Sequence, residues 1–423
     1  MTRGWVVRQI PSSYFRSRRS PAGCAKMARS APVLALALLA VTSVLVISFT
    51  LPGYRTTLVA FSNSAAEGER ECQKQRTSIF FLKTHKCASS TVQNILMRYG
   101  EKNGLDFVLP QEGNYVGNPR PFVPELVGES LRTPGGRYHV FTHHTRYNAS
   151  GVRAVMREDA AYVTIMRDPA RLFESLYSYY GMAGFMRMPL QQFIRLPLAE
   201  LERLPRLAKK IGVNQMAWDL GTEVYGFHNE ELLQSLIRHV ESHFDLVMIA
   251  EYMEASLVLL KELMCWTLDD VTFFTLNARS AAQRANLTAW ERRRVAEINS
   301  ADAALYGHFL QLFRRRAREF GARRMREEVD ALLRRNAELY ERCVQAVLPP
   351  ANPGGAYNDV RYQLRDDMGD LGPACRLVTA GELQFTAQLR ERQARRLRVM
   401  AQLDELLEGQ EEDRQSSGTE PAS

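Results

Sequence analysis

The sequence contains no G-x-x-x-x-G-K-[ST] loop, the motif with which many nucleoside triphosphatases hold phosphates. It has no internal repeat, and its six cysteines among 423 residues follow none of the spacings typical of zinc sites. ATP or GTP hydrolysis and a zinc module therefore lose support. The composition is 45% hydrophobic and 24% charged, as in a protein with a full core. The net charge of +8 favours anionic ligands, and no nucleic-acid partner is predicted.

Acidic residues are also absent from the N-terminus up to an uncharged apolar run, Val33–Leu51. This run is long enough to span a bilayer, and the basic residues before it indicate a cytoplasmic side. We predict a cytoplasmic tail over 1–31, a transmembrane signal-anchor helix over 32–51 and a lumenal stem over 52–76. A cleaved signal peptide is the alternative, but its basic head would be shorter.

A lumenal domain agrees with two sequons for N-glycosylation, at Asn148 and Asn286. It would also allow disulfides, whose pairing the sequence does not determine, among the cysteines at positions 72, 87, 265, 343 and 375.

Apolar runs rich in β-forming residues alternate with helical segments in the next part of the chain. The four runs are Ser78–Leu82, Tyr138–Phe141, Ala161–Met166 and Leu246–Ala250. This alternation predicts an α/β fold, with a central parallel β-sheet flanked by helices, in a catalytic domain over 77–407. After about residue 285 we expect helices over 289–340 and 380–407, separated by a loop over 349–372. Residues 408–423 read as a disordered polar tail.

Polar residues follow each predicted strand, namely Lys83 to Lys86, His143-His144, Arg167-Asp168 and Glu251. Open parallel sheets bind ligands at the carboxyl ends of their strands. The sequence therefore predicts a ligand site at this edge of the sheet.

The first of these turns leads directly into a helix that extends to about Gly100. Backbone N–H groups at a helix N-terminus, together with the helix dipole, attract phosphate. The predicted phosphate-binding residues are Lys83, Lys86, Cys87, Ala88, Ser89, Ser90 and Thr91. The structural alternative is an ordinary helix capped by Ser89 or Ser90.

Arg167 begins a second turn of the same kind, between the third strand and a helix that opens at Pro169. Ser175 lies about two helical turns farther along and can face the same edge. Together, Arg167 and Ser175 suit a second phosphate.

These two turns, in this order, resemble the phosphosulfate and 3′-phosphate loops of the galactose 3-O-sulfotransferase family, Golgi enzymes that include galactosylceramide sulfotransferase. The stretches that carry the resemblance include FLKTHKCASSTVQNILMRYG, HHTRYN, MRDPARLFESLYSYY, WDLG, CWTLDDV and ELQF. It implies a P-loop-like sulfotransferase fold and 3′-phosphoadenosine 5′-phosphosulfate (PAPS) as donor, with no metal. It also implies a terminal β-galactose acceptor on a glycolipid or glycoprotein, and a single-pass type II protein of the Golgi membrane. The chain departs from the family at Cys87, where members usually have Thr or Ser, and at His143.

A sugar hydroxyl is too weakly acidic to ionise at neutral pH, so a general base is expected. We predict that His144 is this base and that Lys86 stabilises the leaving oxygen, with Lys83 as the alternative lysine. His143 and Glu251 are predicted to have supporting roles.

Two other functions remain as alternatives, a lumenal kinase-like enzyme and a catalytically silent carbohydrate-binding Golgi protein. The first lacks the expected Mg²⁺-binding motifs, and the second has no need of Lys86, Arg167 and His144 together. The sequence leaves open whether the chain forms a homodimer.

Overall fold

A computed structural model of the chain describes residues 74–222, 229–274, 286–348 and 361–417. Five strands form one parallel sheet in the order β2-β3-β1-β4-β5. Their bounds are β1 Ile79–Leu82, β2 Phe107–Val108, β3 Val140–Phe141, β4 Ala161–Met166 and β5 Leu246–Ile249. The predicted central parallel sheet is confirmed. The sequence missed β2 because two residues are too few to show a pattern.

Fourteen α-helices accompany the strands in the described chain. Up to residue 274 they are α1 Ser89–Lys102, α2 Ala149–Val155, α3 Pro169–Tyr179, α4 Met182–Met186, α5 Leu190–Phe193, α6 Leu198–Leu201, α7 Gln215–Asp219, α8 Glu230–His243 and α9 Met253–Met264. Beyond it they are α10 Ala289–Ile298, α11 Ser300–Glu319, α12 Ala322–Cys343, α13 Gly372–Val378 and α14 Glu382–Ser417. Short 3₁₀ turns lie at Pro124–Leu126, Glu129–Leu131, Pro134–Gly136, Ala250–Tyr252, Asp269–Val271 and Gly369–Leu371.

The central strand β1 is fully buried, because the sheet is covered by helices on both faces. The Phe80 ring packs on Phe141 of β3 and on Tyr162 of β4, with ring centroids 5.3 and 5.4 Å apart. In the register of the two strands, Leu82 is opposite Thr164. The turns that follow β1 and β4 therefore emerge side by side.

The predicted helical region after residue 285 is confirmed, but it is divided into three helices. Asn299 ends α10 and also begins α11, and Gly321, with a φ of 96°, precedes α12. A positive φ is a conformation that glycine adopts at little cost.

A two-stranded antiparallel sheet, β6 Val344–Leu348 with β7 Arg361–Leu364, follows α12. The prediction of a loop over 349–372 was therefore wrong for β7 and for the start of α13. The Cys343–Cys375 disulfide lies beside this hairpin. A cross-link at that point supports a short hairpin that would be marginal by itself.

Helix α14 continues to Ser417, past the predicted end at 407. The prediction of disorder was wrong for residues 408–417, because their Glu, Gln and Arg residues favour helix even without an apolar pattern. The predicted transmembrane segment over 32–51 lies outside the described residues. Among the residues that are described, no helix has the length and hydrophobicity needed to cross a bilayer.

Candidate functional site

The turn between β1 and α1 has a backbone that is unusual for its sequence. Lys86 and Ala88 have φ values of 55° and 60°, in the left-handed region that residues with a side chain seldom adopt. Each such residue costs about 1–3 kcal/mol, so the surrounding structure must hold the turn in place. The Thr84 hydroxyl donates to the Ile165 carbonyl of β4 at 2.5 Å, and the Ser89 hydroxyl donates to the Thr84 carbonyl at 2.6 Å.

The start of α1 is open to a ligand. Its N-cap residue in the described chain is the exposed Ala88, and no side chain caps it. Capping by Ser89 or Ser90, the structural alternative for this motif, is therefore wrong, since Ser89 donates to Thr84 instead. The first N–H groups of a helix have no partner within it. Here the Thr91 N–H donates to the Ala88 carbonyl at 3.2 Å, and the N–H groups before it belong to the strained turn.

The structure separates the two lysines that the sequence could not distinguish. Lys83 is only 1% exposed, and its Nζ lies 2.6 Å from Oε2 of Glu382 at the start of α14. Burial lowers the pKa of Lys83, and the attraction of Glu382 offsets this effect only in part. Lys86 is half-buried, with Nζ 3.3 Å from the centre of the Tyr179 ring. Lys86 is thus the better placed lysine for an anionic ligand, and Lys83 is committed to Glu382.

Arg167 joins the two predicted phosphate-binding turns. Its guanidinium donates to the Lys86 carbonyl at 2.7 Å, so the first residue after β4 contacts the turn after β1. The next residue, Asp168, is the N-cap of α3 and accepts a hydrogen bond from the Arg171 N–H at 3.0 Å. Ser175 is buried farther along α3. Its predicted contact with a second phosphate stays a prediction.

His144 lies directly beside this turn. Its Nδ1 is 3.0 Å from the Lys83 carbonyl oxygen, which can only accept, so Nδ1 carries the proton and Nε2 is the unprotonated nitrogen. The ring stacks on His85, with centroids 4.2 Å apart, and on Tyr115 at 5.0 Å. Burial, followed by the charges of Lys83 and His85, holds the pKa of His144 well below its usual value.

His85 makes a contact with a carboxylate that the sequence analysis did not predict. Its Nδ1 lies 2.8 Å from Oδ1 of Asp219, its backbone N–H donates to Oδ2 at 2.8 Å, and its Nε2 lies 3.0 Å from the Tyr115 hydroxyl. Both members of the pair are buried. A carboxylate on one imidazole nitrogen fixes the ring and its tautomer, as in many acid–base sites.

The WDLG stretch positions Asp219. Arg146 and Arg206 lie over the Trp218 ring, 3.9 and 4.4 Å from its centre. Gly221 has a φ of 88°, and a Cβ there would lie 2.2 Å from the Tyr147 carbonyl oxygen, so only glycine fits. The signal for Asp219 was therefore present in this short motif, but nothing local connects it with His85.

The two residues with predicted supporting roles make other contacts. His143 Nε2 lies 2.9 Å from the Thr386 hydroxyl of α14, and burial lowers the pKa of His143 to about 4. Glu251 lies in the 3₁₀ turn Ala250–Tyr252, just after β5. Its carboxylate accepts from the Asp168 N–H at 3.2 Å and from the Tyr306 hydroxyl at 3.3 Å. Glu251 therefore holds the turn after β4, and burial raises its pKa.

The described cysteines differ in their bonding. Cys87 is a buried free thiol, and Cys265 is disulfide-bonded, as are Cys343 and Cys375. Burial raises the pKa of Cys87, so this residue offers a ligand its backbone and not a thiolate. Within the described ranges, no group of three or more His, Cys, Asp or Glu side chains could hold a metal ion.

The two sequons differ in exposure. Asn148 is half-buried, and its amide donates to the Phe122 carbonyl at 3.0 Å. Asn286 is exposed just before α10. Of the two, Asn286 is the more accessible to a glycosylating enzyme.

A sequence model of the galactose-3-O-sulfotransferase family matches residues 22–393 of this chain. Galactosylceramide sulfotransferase of Bos taurus is 35% identical over 349 residues, which cover 78% of this chain and 80% of the relative. Galactose-3-O-sulfotransferase 3 of Bos taurus is 36% identical over 345 residues, covering 75% and 79%. Galactose-3-O-sulfotransferase 2 of Sus scrofa is 35% identical over 332 residues, covering 74% and 83%. The family model and these relatives show that the chain belongs to the galactose-3-O-sulfotransferase family.

Proposed function

We propose that this protein transfers sulfate from PAPS to the 3-hydroxyl of a terminal β-galactose on a glycolipid or glycoprotein. The observation that carries the proposal is the Arg167 guanidinium bonded to the Lys86 carbonyl, at the uncapped start of α1. This contact joins the Arg167 side chain to the turn that carries Lys86 and the start of α1. The relatives' names, galactosylceramide sulfotransferase and galactose-3-O-sulfotransferase, supply the acceptor class.

The residues fit an anionic donor with separated phosphates. The backbone N–H groups of residues 88–90 and the ammonium of Lys86 would hold the 5′-phosphosulfate, because both are donors that attract negative charge. Arg167 would hold the 3′-phosphate, with Ser175 beside it. The donor supplies an activated sulfur bonded to a good leaving oxygen. Lys86 then stabilises the charge that develops on that oxygen.

His144 is proposed as the general base. Since Nδ1–H is engaged by the Lys83 carbonyl, the lone pair of Nε2 is available to take the proton of the galactose hydroxyl. The galactose oxygen bonds to sulfur while the bond between sulfur and the bridging oxygen breaks. The low pKa keeps His144 neutral at physiological pH, so the base is ready before the acceptor binds.

His85 is the second candidate for the base, and its contact with Asp219 favours it. A carboxylate that holds Nδ1–H stabilises the imidazolium that forms when Nε2 takes a proton. In the structure that Nε2 lies against the Tyr115 hydroxyl. His85 could therefore act only if the acceptor displaced Tyr115, whereas His144 needs no such change.

We further propose that the protein is a single-pass type II protein of the Golgi membrane, with the catalytic domain in the lumen. The proposal is supported by the charge asymmetry around Val33–Leu51 and by the exposed sequon at Asn286. Digestion with a peptide N-glycosidase should shift the wild-type band, and Asn286→Gln should remove most of that shift. A full-length chain from cells that carries no N-glycan at either sequon would contradict a lumenal domain.

The activity is tested with full-length protein in detergent, labelled PAPS and two matched acceptors. A β-galactoside should accept label, and the same galactoside methylated at the 3-oxygen should not. Equal labelling of both acceptors would overturn the 3-hydroxyl assignment. A third arm supplies labelled ATP with Mg²⁺ in place of PAPS. Phosphate transfer in that arm, without sulfate transfer in the first, would support the kinase-like alternative.

We expect sulfate transfer to persist in EDTA, because the developing charge is met by Lys86, Arg167 and backbone N–H groups. A requirement for added Mg²⁺ or Mn²⁺ would contradict this.

A further inference from the structure

A third lysine lies beside the imidazole rings of the site, and no step of the proposed reaction uses it. The Nζ of Lys210 is 3.7 Å from the centre of the Tyr115 ring. That ring stacks on His144, and its hydroxyl lies 3.0 Å from Nε2 of His85. Lys210 therefore holds a positive charge one ring away from both candidates for the base.

The loop that carries Lys210 has a strained backbone. Ala208 and Lys209 have φ values of 48° and 60°, which residues with a side chain seldom adopt. The Lys210 carbonyl accepts from Nε2 of Gln215 at 3.1 Å and from the Arg206 guanidinium at 3.2 Å. Strain of this kind persists only where the surrounding contacts impose it, and it is common at ligand sites.

Gln215 connects this loop to the imidazole rings. The Nε2 that donates to the Lys210 carbonyl also donates to Oδ1 of Asp219 at 3.0 Å. The contacts close into a ring whose members are, in order, His85, Asp219, Gln215, Lys210 and Tyr115. The position of Lys210 relative to the histidines is therefore set before a ligand binds.

The sheet topology places Lys210 away from the proposed donor. Strand β1 separates β4, which leads to Arg167, from β3 and β2. Tyr115 and His144 follow β2 and β3 and are paired with each other. The ammonium over Tyr115 thus lies on the opposite flank of β1 from Arg167. Since the donor is proposed to bind at α1 and Arg167, the flank with Lys210 is left for the acceptor.

The ammonium of Lys210 is half-buried and lacks a counter-ion. No carboxylate in the described part of the chain pairs with it, and burial lowers the pKa of Lys210 without an offsetting attraction. Lys83, in contrast, has Glu382 at 2.6 Å. A partly desolvated charge is stabilised by an opposite charge, so a bound anion would give Lys210 the partner that the protein does not.

We propose that Lys210 binds an anionic group of the acceptor glycan, a sulfate ester or a carboxylate on the sugar next to the terminal galactose. The inference rests on the proposed sulfate transfer and goes beyond it, because it concerns which galactosides the protein selects. Lys210 is then a specificity-determining residue that forms an ion pair with the acceptor. An ammonium binds either anion as a point charge, so the two share one recognition chemistry.

The test compares three disaccharides, with full-length protein in detergent and labelled PAPS. All have a terminal β-galactose, and the second sugar is N-acetylglucosamine, N-acetylglucosamine 6-sulfate or glucuronic acid. The measured quantity is kcat/KM for each acidic disaccharide divided by kcat/KM for the neutral one. We expect a ratio of about ten or more for at least one acid, and the larger ratio identifies the anion. Ratios of about one for both acids would overturn the proposal.

The variants separate recognition from a structural role. Lys210→Met keeps the apolar part of the side chain and removes the charge, so it should lower the ratio about tenfold, whereas Lys210→Arg should retain most of it. Lys209→Met is the matched control, because this neighbouring lysine of the same loop is exposed. A structural role alone would lower kcat/KM for all three disaccharides alike. An unchanged ratio in Lys210→Met would therefore overturn the proposal.

A binding measurement separates this inference from the proposed function. Isothermal titration of each disaccharide into protein saturated with 3′-phosphoadenosine 5′-phosphate measures acceptor affinity without turnover. Tighter binding of an acidic disaccharide that is lost in Lys210→Met would support the anion site, and absence of sulfate transfer in the same preparation would count against the proposed function alone. Sulfate transfer with equal affinity for all three disaccharides would overturn only the role of Lys210.

Discussion

The two turns at the site differ in how the helix after each of them begins. Helix α1 begins at Ala88, in a left-handed conformation and without a side-chain cap. Helix α3 begins at Asp168, with its own carboxylate as cap, Pro169 in the first turn and Glu251 on the Asp168 N–H. One helix start is left open at a cost in conformational strain, whereas the other is closed by the protein.

This difference assigns the turns different tasks. The open start of α1 can bind an anion through its backbone, which tracks the shape of a phosphate closely. At the closed start of α3 the N–H groups of Asp168, Arg171 and Leu172 bond within the protein, so the turn contributes chiefly the Arg167 side chain. We infer that the group undergoing reaction binds at α1 and that α3 fixes the other end of the donor.

The proposed general base, His144, belongs to neither turn, and its replacement should have the largest effect on activity. His144→Ala should lower turnover by about 10²–10⁴-fold while affinity for 3′-phosphoadenosine 5′-phosphate is kept. Steady-state kinetics and isothermal titration measure the two quantities. His143→Asn is the control and should have a milder effect, because His143 contacts Thr386.

Near wild-type turnover in His144→Ala would defeat the assignment. A loss of turnover in His85→Ala but not in His144→Ala would instead assign the general base to His85, paired with Asp219.

The pH profile sharpens the same assignment. The pKa of His144 is lowered, mainly by burial, so the imidazole loses its basic form only in acid. We expect kcat/KM to fall as the pH decreases, with an inflection below the ordinary histidine value of about 6.5. An acid limb above that value would indicate a base with a raised pKa instead.

The next effect compares the two cations directly. Lys86→Ala and Arg167→Ala should each weaken binding of 3′-phosphoadenosine 5′-phosphate by about 1.5–3 kcal/mol, because each removes a charge-assisted contact. Arg171→Ala, an exposed arginine in the first turn of α3, is the matched control. Unchanged affinity in Arg167→Ala would remove that residue from the donor site. The proposed division of tasks between the two turns would then be wrong.

A smaller effect tests the closed helix start. Asp168→Ala removes the cap of α3 and should lower the free energy of unfolding by about 1 kcal/mol. Affinity for the nucleotide should change little, since the cap faces α3 and not the ligand. Urea unfolding and titration of the same preparation measure both. A large loss of nucleotide affinity with no loss of stability would show that Asp168 belongs to the site.

The smallest expected effect tests the open start of α1. Ala88→Gly relieves the left-handed strain and should raise the free energy of unfolding by about 1 kcal/mol or less. Ala88→Val, with a branched side chain at the same φ, should lower it. A destabilised glycine variant would show that the turn is not strained.

The sheet and the first turn could be predicted because their signals are local. Four strands appear as apolar runs, and Lys86 and Arg167 follow them directly. The capping alternative was wrong because Ser89 bonds back to Thr84, and short-range patterns do not show which partner a hydroxyl chooses. The contacts Lys83–Glu382, His85–Asp219 and His143–Thr386 were beyond prediction, since each joins distant parts of the chain.

The Lys83–Glu382 pair has a consequence for the order in which the protein is made. The lysine directly follows the first strand of the domain, and the glutamate belongs to its last described helix. Synthesis from the N-terminus exposes β1 early, and a lysine at its end cannot be buried without its counter-ion. The final assembly of the site therefore waits until α14 has left the ribosome. A chain that ends before Glu382 would carry every predicted phosphate-binding residue and still lack the counter-ion of Lys83.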